Sequence, residues 1–168
     1  MKEKYISMER LFLQHMIKFF FLSIFFFYPS FINAESLVKA KDSLVWDSEN
    51  KSYTALGSVE FKNDIFKAFS EKMVAYYIEK DNEEIFTKVE LFENVRIELQ
   101  DEVFLGDYAI YTRENNTIRL TGNVSIKSPT RLLRGNELIA DIDNNKRILN
   151  SADQESLVEV LLDNNERN

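Results

Sequence analysis

The chain has 168 residues, 45% hydrophobic and 29% charged, a globular balance with room for one domain of ordinary size. The formal charge is −7, which argues against nucleic acid as a partner. There is no cysteine and one histidine, His15, so residues 35–168 hold no disulfide, no thiolate or imidazole metal site and no histidine-based catalytic triad.

Residues 1–34 read as a signal peptide. Lys2, Lys4, Arg10 and Lys18 form a positive n-region, and Phe19 to Tyr28 form an apolar run of 10 residues that Pro29 ends. A bilayer crossing takes about 20 residues, so this run has the length of an h-region. Ile32-Asn33-Ala34 offers a small-residue cleavage site, and Met8 and Met16 are alternative starts. Cleavage near Ala34 leaves residues 35–168 as a single domain with 17 basic and 26 acidic residues, a charge of −9. An exported chain without cysteine suits the bacterial periplasm. An uncleaved membrane anchor is the alternative.

From there the chain alternates with period 2. Tyr53, Ala55, Gly57, Val59 and Phe61 share one face, as do Val89, Leu91, Val95, Ile97 and Leu99, and then Ile118, Leu120, Gly122, Val124 and Ile126. Turn clusters separate these runs at 47–52 (DSENKS), 62–64 (KND), 80–84 (KDNEE), 113–116 (RENN), 128–130 (SPT) and 143–146 (DNNK). About nine strands of 7–14 residues are expected, with almost no room for helix. Residues 151–162 (SADQESLVEVLL) contain a possible capping box, Ser151 to Gln154, but Val158, Val160 and Leu162 alternate and a last strand is favoured.

The runs repeat. KDSLVW, SEKMVA, GDYAIY and GNELIA align on Leu44, Met73, Ala109 and Leu138, spaced by 29, 36 and 29 residues. ALGSV, LFENV and LTGNV follow the first three, aligned on Val59, Val95 and Val124. The wider spacing is absorbed by EKDNEEIF (79–86), a longer polar hairpin. The chain's four glycines fall in two positions of this unit: Gly57 and Gly122 in one, Gly106 and Gly135 in the other. A hairpin with one apolar face cannot hide that face alone. Stacked hairpins can, which predicts an all-β roll, open at both ends, with unpaired edge strands.

This tandem pattern resembles the LptA/OstA-like lipopolysaccharide-transport family. The resemblance runs from about Ala40 to Leu162 and is carried best by Gly57, Gly106, Asp107, Tyr111, Gly122, Asn123, Val124 and Gly135. It implies an OstA-like β-jellyroll, no enzymatic activity and no cofactor. It further implies a periplasmic protein that holds the acyl chains of lipopolysaccharide (its lipid A) inside the roll, stacks head to tail through its edge strands, and bridges an inner-membrane LptC-like partner and an outer-membrane LptD-like partner. A membrane-anchored LptC-like adaptor and a purely structural β-roll remain the alternatives.

Burying a 12-carbon acyl chain at roughly 0.8 kcal/mol per CH₂ represents about 10 kcal/mol of gross transfer energy, against about 0–1 kcal/mol for one exposed phosphate–Lys pair. An apolar interior therefore dominates the holding energy, and an acidic chain is no obstacle. The candidate groove is the inward face: Val59, Phe61, Leu91, Val95, Ile97, Leu120, Val124, Ile126 and Tyr111, with Met73, Ala109 and Leu138 beside them. Each also reads as plain core. Glu93 takes the position of Gly57 and Gly122, on the face of Val95 and Ile97, and reads as a carboxylate at the groove mouth or paired with a nearby Lys or Arg, or as a polar gate within the groove. Trp46 reads as a plug at one end of the core. Arg96, Arg119, Arg131 and Arg134 are the isolated cations available to a head group.

Overall fold

The computed structural model describes residues 36–151 and 157–162. The expected signal peptide at 1–34 and residues 152–156, which hold most of the possible capping box, lie outside the described residues. Ten strands are described: β1 (Leu37–Lys39), β2 (Ser43–Asp47), β3 (Ser52–Lys62), β4 (Lys67–Lys80), β5 (Glu83–Leu99), β6 (Glu102–Thr112), β7 (Thr117–Ser128), β8 (Arg131–Asp141), β9 (Lys146–Asn150) and β10 (Glu159–Leu162). They form one antiparallel sheet in the order β1-β3-β4-β5-β6-β7-β8-β10, with β2 also on β3 and β9 also on β8.

The strands number ten rather than nine because each end of the sheet is split. β2 pairs with the first part of β3 and β1 with its last part; β9 and β10 divide β8 in the same way. These end strands run from 3 to 5 residues, shorter than the alternation suggests. β5, at 17 residues, is longer. Its excess is the EKDNEEIF hairpin, where Tyr77↔Phe86 through Lys80↔Glu83 continue the β4–β5 pairing past the ends of β3 and β6. The turns close by side-chain capping: Asp47 accepts from the backbone N–H of Glu49 and Asn50, and Asp141 from that of Asn144.

Three bulges line up across the sheet. Gly57-Ser58 on β3 stand opposite Glu71 alone, Glu93-Asn94 on β5 opposite Asp107, and Gly122-Asn123 on β7 opposite Asn136. All six bulge residues have positive φ, between 44° and 78°. The repeat is therefore a bulge repeat. The first glycine position supplies the left-handed conformation, which other L-residues adopt at a cost. The polar second residue of GDYAIY and its equivalents packs there: a Cβ on Gly122 would stand 2.4 Å from the Asp107 carboxylate, which accepts from Asn123 Nδ2 at 2.9 Å.

Bulges bend strands, and this row bends the whole sheet into two layers. Layer I holds β2, β9 and residues 52–56, 72–92, 108–121 and 136–141; layer II holds β1, β10 and residues 59–70, 95–106 and 124–135. Ring contacts prove the fold-over. Phe61 pairs with Ala68, which pairs with Ile97 on β5. Phe86 lies on the same strand β5, about 36 Å from Ile97 were the strand straight. Yet the rings of Phe61 and Phe86 are 6.1 Å apart. Phe66 likewise reaches Tyr111, at 5.0 Å between centroids.

The core fills the space between the layers. At the inner corner the second glycine position acts through lack of volume: a Cβ on Gly106 would stand 2.8 Å from Leu120 and one on Gly135 2.8 Å from Leu149, both leucines of the opposite layer. Opposite this hinge the layers meet again along a seam closed by Phe61–Phe86, Phe66–Tyr111 and, toward β9, Arg147 over the Phe104 ring at 5.5 Å.

Candidate functional site

The inward face is continuous from one end of the roll to the other. In layer I the register runs Leu44, Ala55, Met73, Leu91, Ala109, Leu120, Leu138, Leu149. In layer II it runs Val38, Phe61, Ala68, Ile97, Phe104, Ile126, Leu133, Val160. The middle of each row is buried. One end of each row comes out into solvent, Leu44 52% and Val160 54% exposed, while Val38 and Leu149 pack partly buried against the core.

Nine of the ten candidate groove residues meet in one place. Val59, Phe61, Leu91, Val95, Ile97, Tyr111, Leu120, Val124 and Ile126 all belong to a single buried cluster, as do Met73, Ala109 and Leu138. Tyr111 keeps its phenol within 3.3 Å of Asn116 Oδ1, and burial raises its pKa above the ordinary tyrosine value.

Glu93 is not among them. It is exposed, on the bulge beside Asn94, and does not continue the face of Val95 and Ile97. The spacing conceals this: Leu91 and Val95 are both inward and four residues apart, so the alternation keeps its phase while two left-handed residues intervene. Trp46 does not plug the core either. It is 59% exposed, and its Nε1 donates to the Tyr77 hydroxyl at 2.8 Å on the rim of layer I. The four arginines are not isolated: Arg96 pairs with Glu98, Arg119 with Glu137, Arg131 with Glu102 and Arg134 with Glu159.

Three features escaped sequence reading. Phe66, in the β3–β4 connection, is buried at the seam because Asn63 Oδ1 caps the backbone N–H of Ile65 and Phe66 and turns the ring inward. Phe86 belongs to the hairpin that composition reads as polar. The third is an ion triad around a buried carboxylate. Glu102, 8% exposed, accepts from Arg131 at 3.2 Å and from Arg147 Nε at 2.9 Å. Arg147 lies on layer I and Glu102 on layer II, the only side-chain ion pair between the layers among the described residues.

Such a roll has an apolar interior and two open ends, and no cluster of catalytic groups is seen among the described residues. Residues 38–146 match the family described as LptA/(LptD N-terminal domain) LPS transport protein. The chain belongs to that family. The LptA/LptD N-terminal family is a non-enzymatic component of lipopolysaccharide transport, and the matched span of this LptA-like chain contains all three bulges. A solved structure with the same fold is that of LptH, the LptA-homologous periplasmic component of the lipopolysaccharide transport device of Pseudomonas aeruginosa. It superposes with a TM-score of 0.65 at 13% identity, covering 79% of this chain and 98% of that one. No curated protein matches the sequence.

Proposed function

We propose that this LptA-like chain is a periplasmic bridge component that shields the acyl chains of lipopolysaccharide between the two layers of the roll and passes them along its length. One observation carries the reading: the apolar inner face runs uninterrupted through the roll and emerges exposed at both ends, at Leu44 and at Val160. Apolar side chains left uncovered at both mouths, Leu44 beside Val45 and Trp46 and Val160 beside Leu161 and Leu162, are the contiguous kind that marks an interaction surface. The exposed ends continue into a neighbouring roll of the same kind. That neighbour is a second copy, an inner-membrane LptC-like partner or an outer-membrane LptD-like partner, joined by strand addition at the split edges. Because the candidate groove residues are buried in the closed roll, lipid enters by parting the layers along the seam, with the bulge row as hinge.

The test is site-specific photo-crosslinking to lipopolysaccharide in cells. Probes at Leu44, Ile118 and Val160, on the inner face, are expected to crosslink; probes at Val45, Arg119 and Ile139, on the outer face, are expected not to. Equal labelling of both sets, or none, overturns the reading. Residues 1–34 act as a cleaved signal peptide in this proposal, so the mature protein begins near Glu35. N-terminal sequencing of the cellular protein checks it, and an intact segment in the membrane fraction would point to an anchored adaptor instead.

A further inference from the structure

We infer that the C-terminal mouth of the roll holds a binding site for the phosphate group of an amphiphile, with Lys127 and Arg131 as the anion contacts and Leu161 and Leu162 as the surface for its apolar chain. The inference rests on the lipid-carrying reading above.

The site is a cleft of about 550 Å³ where the β7–β8 turn meets β10. In a chain of net charge −7, the charged residues lining it are two cations and no carboxylate. Lys127, like Lys41, Lys62, Lys72, Lys80 and Lys146, has no ion-pair partner among the described residues, so its charge is available to a ligand. Arg131 gives one N–H to Glu102, and its side chain is 51% exposed. A guanidinium carries five N–H donors in a planar fork, so donors remain for a second acceptor. Ser128, which pairs with Arg131 across the turn, has a buried hydroxyl with no hydrogen-bond partner. An unpaired hydroxyl beside Arg131 is a group that a bound acceptor would complete.

The apolar half of the site is equally built. Leu162 pairs with Arg131 and Leu161 with Leu132, and both β10 leucines are more than half exposed. Free phosphate gains nothing from leucines, and an uncharged lipid gains nothing from the cations. A phosphorylated lipid engages both. Its chains would then follow Leu162 and Val160 onto the inner face, which places the phosphate outside the roll while the chains lie within.

Three probes test this on the full-length chain: phosphorylated lipid A, its dephosphorylated form and inorganic phosphate. Removing the phosphates from the lipid, or making K127A/R131A, is expected to weaken binding about tenfold, with no further loss when both changes are combined. Dephosphorylated lipid should bind the variant and the parent alike. K127A alone, at a residue without a protein partner, should give part of the loss, and Lys127→Arg should restore it. Equal binding of both lipids, unmoved by the substitutions, overturns the inference while the lipid-carrying reading stands. Failure of the parent chain to bind either lipid sinks that reading first. Displacement of the lipid by inorganic phosphate at similar concentration would make this a free-anion site and would also overturn the assignment.

Discussion

The seam that closes the roll changes chemistry along its length. Toward β3 and β4 it is aromatic: Phe61, Phe66, Phe86 and Tyr111 meet edge-on or tilted, with centroids 5.0–6.1 Å apart. Toward β9 it is ionic: Glu102 bridges Arg131 and Arg147, and Arg147 lies over Phe104. Apolar contacts close without regard to partner identity and reopen by sliding. A buried ion pair is different. Its formation roughly offsets the desolvation of two charges, but its rupture leaves one charge stranded, so it resists partial opening far more than it adds to stability. The aromatic stretch therefore holds the layers together, while the ionic stretch sets whether they part at the C-terminal end.

The largest expected effect is at the aromatic stretch. Phe66→Ala should lower unfolding stability by about 4 kcal/mol, through lost burial and the cavity left among Phe61 and Tyr111. Urea denaturation measures it, and the loss should not change with salt. At the ionic stretch Glu102→Ala should cost about 3 kcal/mol, because Arg147 is left largely buried without a counter-charge. The double change Glu102→Leu with Arg147→Met should restore most of that stability while speeding hydrogen exchange of β9 no further than the parent. If the double variant is as unstable as the single one, the two stretches act alike and the distinction between them fails.

The hinge opposite the seam gives a third, smaller test. Gly122→Ala should cost about 1–2 kcal/mol, since φ is +78° there and the new Cβ would collide with Asp107. Glu93→Gly should do the reverse and gain up to about 1 kcal/mol by relieving a left-handed glutamate, less whatever the added glycine freedom takes back. A loss on Glu93→Gly would mean that this side chain does more than occupy a bulge.

The smallest effect lies at the layer I rim near the aromatic stretch. The Tyr53 hydroxyl donates to Glu84 at 2.6 Å, and this hydrogen bond, first among the causes, raises the Tyr53 pKa to about 12. A raised acid pKa means that the folded state holds the proton more tightly. The contribution is fully present below about pH 10, the ordinary tyrosine value, and is lost as pH climbs from there through about 12. Phenolate absorbance should show a tyrosine ionising late in the parent, and Glu84→Gln should bring it back toward 10. No movement on that substitution would rule out Glu84 as the cause.

Much of the buried inner face could be read from the order of residues. The faces holding Val59, Leu91, Val95, Leu120 and Ile126 were legible because each strand has one buried side, and burial imposes period 2 directly on the sequence. Glu93 was placed on the wrong face for the same reason that the others were placed on the buried one. A bulge of two residues preserves the phase of the alternation on its own strand, so from Leu91 to Val95 nothing in the pattern announces it. The signal lay on the neighbouring strand, where Asp107 and Tyr108 both face outward and the phase slips by one. Trp46 was misplaced because hydropathy reports preference for burial, whereas position on the last strand of a split edge decides whether burial is available.

The residues in order determined the class, the repeat, the register of the inner face and the two glycine positions, since all of these follow from local alternation and from spacing that recurs along the chain. Only the tertiary structure decided that the sheet folds over at the bulge row. It also decided that Phe66 and Phe86 close the seam, and that Glu102 meets Arg147 across 45 residues. Those contacts join residues with no common period. They exist because bending one sheet brings the two ends of the same strands face to face, and a bend is a property of the sheet rather than of any strand in it.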